Sequence, residues 1–85
     1  MITPSLMVSL WELKRWPSKL KKMAGLQVRI WSGEHRAYWR SMGNGYSWDT
    51  EEAGVFDFED AYNRTNHCGP EKKIIFHIVE SEFVI

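Results

Sequence analysis

From Trp31 to Trp48 the chain reads WSGEHRAYWRSMGNGYSW, in which four positions are glycine or asparagine and five are tryptophan or tyrosine. Large rings favour extended backbone, and glycines mark the places where that backbone can turn. Such a stretch does not make one continuous helix. It reads as short strands joined by tight reversals, and the rest of the chain has to complete the sheet they begin. Arg36, Arg40 and His35 lie among the rings. Rings and planar cations together either close a core or present a binding surface.

The flanking segments fit that frame. Leu26 to Ser32 alternates polar and apolar residues and predicts a first strand. Gly33-Glu34-His35 supplies a turn, and Ala37 to Ser41 a second strand, antiparallel to the first. On that strand Tyr38 and Arg40 share one face, and Ala37, Trp39 and Ser41 the other. Gly43-Asn44-Gly45 permits a reversal, after which Tyr46 to Trp48 can extend again. Asp49 to Gly54 is acidic and turn-like. Asp57 is placed to cap a helix with Phe58, Ala61, Tyr62 and Thr65 inward, ending near Asn66. His67-Cys68-Gly69-Pro70 leaves that helix. Lys73 to Glu80 is apolar on both faces, which predicts a strand central to the sheet or covered on both sides. Ser81 to Ile85 extends that strand or pairs with another chain.

Residues 1–23 read as helical and amphipathic, in two pieces. Pro4 suits a first helical turn, Leu6, Leu10 and Leu13 make one stripe that Trp16 can extend, and Pro17 divides the pieces. The organisation expected is an amphipathic helical extension over residues 1–25 and an α+β core over residues 26–85. That core runs strand, strand, helix, strand, a small antiparallel sheet of about three strands with a packed helix. The extension either covers the sheet or serves a partner or a membrane surface.

Charge separates the same two parts. The chain is neutral overall, but residues 1–26 hold five bases against one acid and residues 27–85 six bases against ten acids. Duplex nucleic acid is therefore not an expected partner of the acidic core, because such binding is mostly phosphate neutralisation. Neutrality with many rings leaves self-association, as a homodimer, open. A single cysteine, Cys68, forms no internal disulfide and suits a reducing cytoplasm. The chain has no apolar run of membrane-spanning length, and Ile2 to Trp11 does not read as a secretory leader.

The chemistry-bearing residues do not assemble into a catalytic set. His35, His67, His77 and Cys68 lack the spacing of a zinc site. Cys68 follows a helix C-terminus, whose partial negative charge disfavours a thiolate. Gly43 and Gly45 lack the lysine and helix of a phosphate loop. No enzyme activity, metal or cofactor is expected. The binding candidates are His35, Arg36, Tyr38, Arg40, Tyr46 and Trp48, which could stack a base and fork a phosphate, or form a protein-docking patch. Arg40 is either a structural partner of Asp49 or Glu52, or a recognition group.

The segment from about Val28 to Ile78 resembles a family of small uncharacterised proteins encoded by bacteriophages and prophages. The residues that carry the resemblance are Trp31-Ser32-x-Glu34-His35, Tyr38-Trp39-Arg40, Gly45-Tyr46, Ala53-Gly54-x-Phe56, Glu59-Asp60-Ala61 and His67-Cys68-Gly69-Pro70-Glu71-Lys72. The resemblance implies an accessory protein of a mobile element, acting in the cytoplasm of a bacterial host. It implies inhibition of a host factor, in the manner of an anti-CRISPR protein, by binding a defence protein without turnover. It brings no catalytic residue with it. The alternatives are a binding module for a nucleotide-type small molecule, and a membrane or nucleic-acid tether through the N-terminal segment.

Overall fold

The computed structural model describes residues 7–41 and 45–79. Along the chain the elements are β1 (Met7–Ser9), α1 (Leu10–Arg15), α2 (Ser18–Met23), β2 (Gln27–Ser32), β3 (Ala37–Trp39), β4 (Tyr46–Ser47), β5 (Phe56–Asp57), α3 (Phe58–Thr65) and β6 (Ile74–Ile78). Readings that rest on Pro4, Leu6, Gly43-Asn44 and Ser81 to Ile85 lie outside the described residues.

The fold is α+β, as the strand pattern predicts, but the sheet has six strands rather than about three. Its order is β1-β6-β2-β3-β4, with β5 pairing β2 beside β3, and every pairing is antiparallel. The additional strands are two or three residues long, too short for alternation to reveal. β6 is interior, with β1 on one flank and β2 on the other.

The N-terminal segment differs most from expectation. Met7-Val8-Ser9 is a strand, not the first turns of a helix, and the helix begins only at Leu10. Ser9 makes the switch. Its backbone is extended, and its hydroxyl accepts from the amide of Glu12 at 3.0 Å, which caps α1. Pro17 separates α1 from α2 as expected, and Gly25 ends the segment at φ 85°. Glu12 and Lys19 pair across the two helices, and that contact lowers the Glu12 pKa.

The three α-helices deliver residues to one core. Leu10, Leu13, Met23, Phe58 and Ala61 pack against Val28, Ile30, Ile74 and Phe76 of the sheet. Phe58 meets Phe76 edge-to-face at 5.5 Å between centroids. The first 25 residues and the rest therefore share one hydrophobic cluster. β2 alternates half-buried and buried along its length, from Gln27 outward and Val28 inward to Trp31 outward and Ser32 inward. Helices cover one face of the sheet, and no described element covers the other.

Candidate functional site

Directly paired residues of an antiparallel sheet lie on the same face, so the register specifies what the open face carries. Ser9, Ile75, Trp31, Tyr38 and Ser47 form one row across five strands. Met7, His77 and Arg29 form the next. Three rings of those rows pack on each other. Trp31 meets Tyr38 edge-on at 5.0 Å, Tyr38 meets His77 edge-on at 5.2 Å, and Trp31 lies nearly parallel to His77 at 6.2 Å. The Tyr38 hydroxyl is 3.0 Å from His77 Nδ1, so a β3 side chain reaches over β2 to β6. All three rings are half-buried.

Burial, and secondarily the nearby Arg29 charge, push the His77 pKa down. Both causes favour the neutral ring, whose Nδ1 accepts from the tyrosine hydroxyl in one tautomer and donates to it in the other. An unfolded chain takes up the proton near the ordinary histidine value of about 6.5, above the folded pKa. His77 therefore contributes stability that is fully present above that value and is lost as pH falls through the folded pKa. Thermal melts of wild type and His77→Gln at fixed ionic strength should converge as pH falls from about 7 to about 5. Parallel curves over that window would show that His77 gains no proton on unfolding.

The residues singled out in the sequence divide between two places. Tyr38 belongs to the open face. His35, Arg40, Tyr46 and Trp48, with Ser47 and Glu52, line a shallow cavity of about 300 Å³ at the β4 edge. Arg36 joins neither group, being exposed in the β2–β3 turn at φ 54°. Gly33 holds that turn against Lys73 so closely that a Cβ would fall 2.5 Å from the lysine Cβ, and this seats His35 on Tyr46, with ring centroids 4.2 Å apart. The loop carrying Glu52 docks on β3 through Gly54, whose amide donates to the Trp39 carbonyl at 2.9 Å. A Cβ on Gly54 would sit 2.8 Å from the Ser41 backbone, so only glycine fits.

Inside the cavity Arg40 Nη1 donates to Glu52 at 3.3 Å, and the Ser47 hydroxyl donates to the same carboxylate oxygen at 2.6 Å. The acid that Arg40 meets is thus Glu52 rather than Asp49. Trp48 is 80% exposed and contributes nothing to the core. Of the other tryptophans, Trp39 packs against the core, while Trp31 belongs to the open face. Two more rings, Trp11 and Trp16, are exposed on the N-terminal segment, with Lys14 5.1 Å and Arg15 5.9 Å from their respective centroids.

Sequence reasoning passed over Arg29 and His77 as site residues. For Arg29 the signal was present, since it falls on the polar phase of the alternating β2 strand. His77 lies in a run that is apolar on both faces, where alternation gives no such sign.

The Cys68 thiol is pushed up by burial, the wrong direction for a nucleophile, and its contact with His67 is a long 3.9 Å. Among the described residues no group of three or more histidine, cysteine or carboxylate side chains converges as a metal site. No described helix is long and apolar enough to cross a membrane. No family model, curated protein or solved structure matches the chain.

Proposed function

We propose that this chain is a small phage-type accessory protein that binds a host protein, one belonging to a defence system, and blocks it without turnover. Its docking surface is the open face of the sheet. The observation that supports this reading is the Trp31–Tyr38–His77 triad, in which Tyr38 stands edge-to-face with both other rings on the side that no described element covers. Rigid aromatic groups lose little entropy on docking, and such groups dominate interface energetics. The phage origin and the bacterial cytoplasm come from the sequence pattern between Val28 and Ile78, and the docking mode from the sheet.

A second reading, a nucleotide-type ligand in the β4-edge cavity, draws on the stacked His35–Tyr46 pair and the exposed Trp48. It is weakened by Arg40, whose guanidinium already meets Glu52. The experiment that separates the two is capture from a bacterial host lysate with wild type, Tyr38→Glu and Trp48→Ala, each first shown to be folded by circular dichroism. Wild type and Trp48→Ala should retain the same host protein, and Tyr38→Glu should lose it. Failure of the wild type to retain any protein at micromolar concentration would remove the docking reading. A protein retained equally by Tyr38→Glu would move the docking site elsewhere.

A further inference from the structure

We infer that the occupant of the open face is an acidic peptide segment of the partner, which presents a carboxylate to Arg29 beside an aromatic or aliphatic side chain. This rests on the reading of that face as a protein-docking surface, and it adds the chemistry of what docks there.

Arg29 lies mid-way along β2, opposite His77 of β6, with Trp31 two positions on along the same face. Among the described residues it takes part in no ion pair. Its Nε is buried and finds no acceptor among them. The acid nearest in register, Asp57, stands opposite Gln27 and accepts from the Gln27 side-chain amide. Burial of Nε leaves a docking carboxylate the two terminal nitrogens, which it can meet with two parallel hydrogen bonds. On this face His77 stands opposite it and Trp31 and Gln27 flank it along β2, with Ile75, Met7 and Tyr38 one place further out. Its surround is thus ringed by aromatic and aliphatic groups except at the end held by Gln27 and Asp57. A cation bordered by rings and aliphatic side chains is the complement of an acid bordered by the same.

Other occupants fit less well. Nucleic acid needs several phosphates neutralised, yet this face offers one cation free of ion pairs among the described residues, Arg40 being engaged by Glu52. Two of the three contacts among the rings are also edge-on, which leaves less ring face for bases to stack on. A second copy docking by two-fold symmetry would have to supply the acid from this same face, and there Asp57 is already held by Gln27.

The test uses a displayed random dodecapeptide library selected on the full chain. Enriched peptides are then synthesised and titrated by fluorescence anisotropy against wild type, Arg29→Gln and Tyr38→Glu. The expected peptides carry Asp or Glu next to an aromatic or aliphatic residue, and Tyr38→Glu abolishes their binding. Changing that peptide acid to its amide should weaken binding to wild type at least about tenfold, and should change binding to Arg29→Gln little. Should Arg29→Gln not fold, the acid-to-amide change measured on wild type decides alone.

Peptides that need Tyr38 but show no acid preference would overturn the acidic occupant and leave the docking reading standing. An absence of any peptide binding sensitive to Tyr38→Glu would overturn both. Binding of a labelled oligothymidylate that Tyr38→Glu abolishes would replace the peptide with a nucleic acid. A dimer in sedimentation that Tyr38→Glu dissociates would replace it with a second copy.

Discussion

Deletion of residues 1–22 should leave a chain that does not fold. The segment contributes Leu10 and Leu13, both fully buried, and Val8 from β1. Removing one buried leucine side chain typically costs about 2–5 kcal/mol, and domains of this size have about 5–15 kcal/mol in total. The deletion also strips β1 from β6, turning an interior strand into an open edge over a half-exposed core. Far-UV circular dichroism and a thermal melt decide the matter. A cooperative transition within about 10 °C of the full-length chain would show that the segment is an accessory after all.

Phe76→Ala is the single substitution expected to cost most. Phe76 is wholly buried on an interior strand, pairs with Val8 on one side and Ile30 on the other, and meets the Phe58 ring edge-to-face. Truncating such a side chain removes its transfer free energy and leaves a cavity that the sheet cannot close by sliding, for a loss of about 3–5 kcal/mol. Urea titration should show a lower midpoint with an unchanged slope. A loss below about 1 kcal/mol would mean that the helices repack into the gap and that the core is less rigid than its burial implies.

Long elements with a clear period were legible in the sequence. β2 follows from its alternation, β6 from its apolar run, and α3 from the stripe of Phe58, Ala61, Tyr62 and Thr65, of which Tyr62 is half-buried and the other three are buried. Asp57 was placed correctly as the α3 cap, but its carboxylate takes Gln27 rather than the helix amides, because β5 brings the two opposite each other. β1 was hidden because Met7-Val8-Ser9 joins smoothly onto a leucine stripe. Its extended conformation comes from pairing with β6, a tertiary cause that no local window contains. The Ser9-Leu10-Trp11-Glu12 spacing, a capping signature, was the one local sign that the helix starts later.

At the candidate site the sequence separated Tyr38 from Trp39 across β3, as found, but did not say which of the two faces is the open one. Trp31 and Trp39 look alike in the pattern, yet one is outward and the other packs on the core. His77 joins Tyr38 from 39 residues away, so the triad exists only once the sheet has formed. Arg29 was unremarked because, in one dimension, it is a lone arginine in a strand.

The position of β6 also sets an order of events during synthesis. β1 and β2 are made early, but they never touch, and the slot between them stays empty until residues 74–78 have been translated and released from the ribosomal tunnel. Until then two strands carry unsatisfied edges toward a gap, and Leu10, Leu13, Val28 and Ile30 lack the Phe76 ring that closes over them. Nascent chains stalled before Ile74 should accordingly be sensitive to protease and prone to capture by chaperones, and those stalled well beyond Ile78 should not. This small protein can fold only after nearly all of its described length has left the ribosome.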